Sequence, residues 1–235
     1  LCGIALPPAK KVMLELRLEK RLRSLGLASY RDYCGYLRNA PDRTSECIRM
    51  IDCVTTNKTD FFREPVHFHY LSDTLLPAFV HGADGKNPGV FSVWSAGCSS
   101  GEEPYTLAMV LAEFAMRHPE CRYSIFATDI STRVLETALT AVYSEEQAAD
   151  VPLALKQRCL LRAKDRSRKL VRIAPRIRNA VRFQRANLMD ELIVPQESMD
   201  VIFCRNVIIY FTRETQSRLI GRLCVCLKPG GHLFL

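Results

Sequence analysis

The chain predicts an α/β protein, a parallel doubly wound sheet preceded by a small helical part. Three observations carry this prediction. From residue 90 onward, short β-prone runs alternate with amphipathic helical stretches, the pattern of parallel strands joined by crossover helices. Upstream of residue 82, the apolar spacing is that of helices. At the first strand-to-helix junction lies a small, glycine-bearing loop, Ser95-Ala96-Gly97-Cys98-Ser99-Ser100-Gly101, where an open sheet of this kind binds ligands.

The elements follow in order. Over residues 10–38 apolar side chains recur between cations, with a break at Ser24-Leu25-Gly26 and with Pro7 and Pro8 marking the start. A helix over 45–54 runs into the polar turn Thr55-Thr56-Asn57-Lys58-Thr59. Pro65 suits a helix's first turn, and that helix runs through His67 and Leu71 towards Leu76. The Gly-, Asp-, Asn- and Pro-bearing stretch 82–89 reads as a linker, dividing the chain into units 1–81 and 82–235. Strands are expected at 90–94, 123–128, 181–183, 200–204 and 232–235, and helices from Pro104 to residue 117, over 131–139 and over 213–227. Lys228-Pro229-Gly230-Gly231 reads as a stop after the last helix.

Composition narrows the class. With 235 residues and 48% hydrophobic content the chain can bury a real core, which excludes a disordered tail. The longest apolar runs, 201–204 and 207–211, fall far short of the roughly 18 residues a membrane span needs, and no charged-then-apolar leader is present. A cytoplasmic protein, not inserted in a membrane, is expected. Ten cysteines without a C-x-x-C pair read as reduced thiols, and the H-x-H at His67 and His69 lacks the spaced partner pair of a metal site. Charge is uneven: net +5 over 9–38, net +11 over 156–185 and net −8 elsewhere. Two basic segments on an acidic body point to an acidic macromolecular partner, although either run alone also reads as a solvated helix face.

The glycine loop is not G-x-G-x-x-G, since only Gly97 and Gly101 are present and Glu102 and Glu103 follow at once. Two carboxylates at a helix start repel a pyrophosphate, which argues against a dehydrogenase and for a ligand carrying positive charge. They also complement the helix dipole, and both readings stand at this point. Asp129 closes the second predicted strand, where an acid takes ribose hydroxyls or caps the next helix. No Asp/Asn-Pro-Pro-aromatic string follows the fourth strand, and no aromatic-spaced basic platform accompanies the +11 segment, so nucleic acid is not the expected target.

Four strings in this order, Thr55-Thr56-Asn57-Lys58-Thr59-Asp60-Phe61-Phe62-Arg63-Glu64, Trp94-Ser95-Ala96-Gly97-Cys98-Ser99-Ser100-Gly101-Glu102-Glu103-Pro104-Tyr105, Ala127-Thr128-Asp129-Ile130 and Phe203-Cys204-Arg205-Asn206-Val207-Ile208-Ile209-Tyr210-Phe211, resemble the CheR family of chemotaxis receptor glutamate O-methyltransferases over nearly the whole chain. The resemblance implies a Rossmann-like S-adenosylmethionine-dependent methyltransferase sheet, a small all-helical N-terminal domain and a small inserted β subdomain. It places Asn57, Thr59, Arg63, Gly97, Glu102, Asp129, Asn187, Leu188, Arg205 and Asn206 around the cofactor and Tyr210 near the reacting methyl, and the Phe61-Phe62-Arg63 string motivates a catalytic role for Arg63, holding one acceptor oxygen while the other attacks. It implies that residues 10–38 dock on the acidic cytoplasmic helical bundle of methyl-accepting chemoreceptors, with the enzyme as a monomer. The stretch 161–171 has no glycine, which argues against a grip on the receptor's C-terminal tail. Against the family pattern the chain reads as a fragment, opening at Cys2-Gly3-Ile4 and stopping at Leu235 inside a strand without the last strand pair.

Overall fold

The computed structural model describes residues 2–5, 11–82, 89–191 and 193–235. Pro7, Pro8 and Lys10, and all but the ends of the expected linker 82–89, lie outside the described residues.

Three helices open the described chain: α1 (Lys11–Ser24), α2 (Tyr30–Asn39) and α3 (Arg43–Val54). Side-chain caps start the second and third, Ser29 accepting the Asp32 amide and Asp42 that of Ser45. Their apolar faces enclose a small core of Leu18, Leu22 and Tyr33. Within it Glu46, 2% exposed, accepts Arg21 Nε at 2.9 Å and the Tyr33 hydroxyl at 2.8 Å, with Arg21 Nη2 on its other oxygen. Burial pulls the Glu46 carboxyl upward, but the bonds from Arg21 and Tyr33 outweigh it and leave the group below its ordinary range. The network therefore stabilises the folded state above the ordinary carboxylate pKa and loses that contribution as pH falls through the lowered value. Glu46→Ala leaves Arg21 and Tyr33 without their partner and is expected to cost about 3 kcal/mol in denaturant unfolding; a loss under about 1 kcal/mol would show the network to be incidental.

Next come α4 (Val66–Tyr70), a π turn (Leu71–Leu75) and α5 (Leu76–His81), wound as one continuous element. The sequence predicts a plain helix here. Pro77 has no N–H to give to the preceding turn, and the wider turn, closed by the Leu76 amide on the Leu71 carbonyl, accommodates it. This region is assigned by the sequence to the helical unit, yet Phe61, Phe68, Leu71, Leu75 and Leu76 are buried in the same core as the sheet. Phe68 stacks on Phe203, and Phe61 meets Tyr143 edge-on.

The sheet begins with β1 (Val90–Ala96), followed by α6 (Glu102–Arg117), β2 (Arg122–Asp129) and α7 (Thr132–Thr140). A small antiparallel sheet is built next from β3 (Val142–Ser144), β4 (Leu160–Arg162) and β5 (Leu170–Ile173), in the order β3-β5-β4, with α8 (Leu153–Cys159) between β3 and β4 in the chain. After α9 (Pro175–Arg178) the chain returns to the main sheet with β6 (Val181–Arg185), β7 (Met199–Phe203), α10 (Arg213–Cys226) and β8 (Leu227–Phe234). The main sheet is parallel throughout, in the order β6-β2-β1-β7-β8. β1 and β7 are buried on both faces, as apolar strands under crossover helices must be.

Three boundaries differ from expectation. Helix α6 starts at Glu102, two residues before Pro104, because Gly101 caps it with a left-handed φ of 99°. The predicted stop at 228–231 is a bulge within β8, since Met199 pairs with Leu227 and Val201 with His232. The basic segment 156–185 is not one unit: its last residues form β6 of the main sheet, and the small sheet begins earlier, at β3. All ten cysteines are free thiols.

Candidate active site

From β1 the chain runs outward through β2 to β6 on one side, then through β7 to β8 on the other. The reversal opens a crevice beyond the carboxyl ends of β1 and β7, where an open α/β sheet takes its ligand. The loops after β1, β2, β6 and β7 form its floor, and the connector of residues 54–60 with Arg63 closes it. The connector is held from both units. Arg17 of α1 donates to the carbonyls of Val54 (2.8 Å) and Thr55 (3.2 Å), and Ser99 Oγ donates to the Asn57 carbonyl (2.8 Å).

Of the residues singled out in the sequence, Asn57, Thr59, Arg63, Gly97, Asp129, Asn187, Leu188, Arg205, Asn206 and Tyr210 line this crevice together. Glu102 does not. It is 2% exposed and accepts the Ser100 hydroxyl at 2.7 Å, while its neighbour Glu103 lines the crevice. Glu103 accepts the Ser95 hydroxyl at 2.7 Å and sits 3.4 Å from Arg205 Nη1. The expected carboxylate is thus one residue further along the helix. The sequence signal for it is Ser95 on β1, the hydroxyl that fixes the Glu103 rotamer.

Asp129 lies at the tip of β2, 8% exposed, one oxygen accepting the Ser99 amide at 2.8 Å and the other that of Ser131 at 2.9 Å. It does not cap α7, whose N-cap is Ser131. Each Asp129 oxygen keeps a further lone pair for a ligand hydroxyl. Burial raises the Asp129 and Glu103 carboxyls above their ordinary range; backbone amides moderate the first, Arg205 and Ser95 the second. A cationic ligand would favour the ionised form of both. This donor set suits S-adenosylmethionine, with carboxylates for an ammonium and a ribose diol beside the apolar Ile130, Leu188 and Val207.

Gly97 has φ +88°, and a Cβ there would stand 2.4 Å from Val207 Cγ2 in the crevice wall. Gly97→Ala is therefore expected to combine backbone strain of about 1–2 kcal/mol with a displaced wall. We expect S-adenosylhomocysteine affinity, measured by calorimetry, to fall at least about tenfold; unchanged affinity would show that the loop relaxes freely.

Lys58 and Arg63 of the connector line the same crevice, the latter donating to the Lys58 carbonyl at 3.2 Å. Elsewhere the basic segments are partly spoken for. Arg21 is tied to Glu46 and Arg23 to Glu19, whereas Lys20, Arg31 and Arg38 are exposed on α1 and α2. Among the described residues Lys164, Arg166, Arg168 and Lys169, in the β4–β5 connection, are exposed and form no ion pair.

A parallel sheet with a glycine turn after its first strand, an acid ending its second and carboxylates where a pyrophosphate would be repelled defines an S-adenosylmethionine-dependent methyltransferase. Residues 57–235 match the family pattern described as CheR methyltransferase, SAM binding domain, and residues 1–55 match CheR methyltransferase, all-alpha domain. The chain is 36% identical over 235 residues to a chemotaxis protein methyltransferase of Borreliella burgdorferi, covering 99% of this chain and 81% of the relative. It is 38% identical over 232 residues to that of Escherichia coli, covering 99% and 77%. The chain belongs to the CheR methyltransferase family. Among the described residues, no helix is long and apolar enough to cross a membrane.

Proposed function

We propose that the protein methylates glutamate side-chain carboxylates on the cytoplasmic helical bundle of chemoreceptors, giving glutamate methyl esters. The observation that carries this reading is one crevice in which the carboxylates Glu103 and Asp129 at the sheet share a lining with the cations Lys58 and Arg63 of the connector, with Asp60 and Arg205 beside them. Its relatives' names, chemotaxis protein methyltransferases, support the same target pathway.

In this reading Asp129 holds the ribose hydroxyls of the cofactor and Glu103 its ammonium, while Asn57, Thr59, Asn187, Leu188, Arg205 and Asn206 complete the cradle. When bound, the cofactor supplies a sulfonium methyl, whose bonding electrons stay with sulfur as the ester forms. The acceptor carboxylate has an ordinary pKa of about 4.3 and is already ionised at neutral pH, so the protein needs no general base. Two opposite charges disappear in the transfer, which a dry site favours over water. The protein's tasks are alignment and exclusion of solvent. Arg63 holds one acceptor oxygen and leaves the other to attack, acting through orientation because a fixed cation also stabilises the ground-state anion. Tyr210, on the short turn after β7, borders the same space.

The core packing supports a helical docking unit that ends near residue 55, short of the expected 81, and the exposed Lys20, Arg31 and Arg38 on it meet the acidic receptor bundle. Incubation with methyl-labelled cofactor and a receptor cytoplasmic fragment tests the proposal. Label should appear on the fragment and disappear when its methylatable glutamates are replaced by glutamine; label that persists on the replaced fragment would refute the glutamate assignment.

A further inference from the structure

The turn that presents Arg63 to the crevice is held in an unfavourable backbone form. Phe62 and Glu64, on either side of Arg63, both have φ of +55°, the left-handed region that non-glycine residues adopt at a cost. The Phe62 amide donates to Thr106 Oγ1 at 3.2 Å, and the Arg63–Glu64 side of the turn is held by a set of contacts centred on a buried guanidinium. Arg205, 6% exposed, donates through Nη2 to the Arg63 carbonyl at 2.5 Å and stands 3.1 Å from Glu64 Oε2. Its Nη1 faces Glu103 at 3.4 Å, and its plane lies over the Phe68 ring. Glu64 also receives the Asn206 amide and lies 4.0 Å from Arg63 Nε and 3.6 Å from His67 Nδ1. Arg205 pulls its carboxyl below the ordinary range against the upward pull of burial. Glu64 itself does not line the crevice.

We propose that Glu64 is a positioning residue whose carboxylate, clamped by Arg205 and Asn206 and facing Arg63, locks the left-handed turn and so fixes the Arg63 guanidinium at the acceptor. This rests on the reading of Arg63 as the group that meets the acceptor carboxylate. The clamp joins that group to the cofactor side, because the same Arg205 faces Glu103. Removing the Glu64 charge frees Arg63 without removing any crevice wall.

Two variants separate the carboxylate from the backbone. Glu64→Gln keeps the length and loses the charge, and Glu64→Gly loses the carboxylate but is at ease at positive φ. Both are expected to lower kcat on a receptor cytoplasmic fragment about tenfold while S-adenosylhomocysteine affinity stays within about twofold. In both, phenylglyoxal should modify Arg63, followed by peptide mass, at least about threefold faster than in the parent protein, since a cation released from a fixed contact is more accessible. Parent-like kcat and Arg63 reactivity in Glu64→Gly would overturn the proposal, leaving only a backbone role. Cofactor affinity falling in step with kcat would overturn it as well, making Glu64 part of the cofactor cradle. The phenylglyoxal rate reads the clamp without methyl transfer. A parent protein that fails to label the receptor fragment would therefore strike the acceptor assignment alone.

Discussion

Replacing Asp129 with alanine is expected to weaken S-adenosylhomocysteine binding by about 100-fold, the loss of two charge-assisted bonds of roughly 1.5 kcal/mol each. The side chain stands at the carboxyl end of β2 beside the reversal of strand order, and both its oxygens are oriented by backbone amides, those of Ser99 and Ser131. Those amides make the effect larger than a surface carboxylate would give. Without the acceptor, two buried N–H groups lose their partners and the loop after β1 loses its anchor. Asp129→Asn keeps one acceptor oxygen and is expected to fall between the alanine variant and the parent. Calorimetric titration checks both, and an alanine variant within threefold of the parent affinity would remove Asp129 from the cofactor site.

Arg63→Lys is expected to lower kcat by about 100-fold with S-adenosylhomocysteine affinity nearly unchanged. A lysine keeps the charge but not the planar fork, so the test isolates geometry from electrostatics. The parent side chain has its Nη1 on the Lys58 carbonyl and its Nε 4.0 Å from Glu64, two contacts that hold the guanidinium in the crevice lining, where its charge also acts on Glu103. A point charge on a flexible stem has no such constraint. Single-turnover methyl transfer separates chemistry from product release, and a lysine variant at full rate would show that Arg63 serves by charge alone or not at all.

The main sheet was legible because its strands are short apolar runs bounded by Gly, Pro and polar turns, although the start of α6 was expected two residues late and α8 and α9 carried no recognised signal. The crevice was legible for the same reason at Gly97 and Asp129, which lie where a strand ends, positions set by topology, whereas Arg205 was expected from family likeness alone. Glu102 and Glu103 show where sequence reading stops. Helix α6 is buried on nearly every side from Glu102 to Leu111, so it has no polar stripe from which to read its phase, and neighbouring glutamates cannot be told apart. The packing of residues 61–76 under the sheet was hidden by a long polar stretch that looks like a linker but is not where the cores divide. The small sheet β3-β5-β4 was expected from family likeness and not from pattern, since its strands are three or four residues long and carry Arg162 and Arg172 among their apolar positions. The left-handed turn around Arg63 had no signal at all, because neither Phe62 nor Glu64 is a residue that favours positive φ.

The central claim is that a carboxylate on a chemoreceptor receives the methyl group. The most direct test is to transfer methyl label from S-adenosylmethionine to a receptor cytoplasmic fragment and then treat the product with alkali. A glutamate methyl ester predicts label released as volatile methanol. Label that stays on the fragment through alkali would place the methyl on nitrogen or another stable acceptor, and would contradict the account.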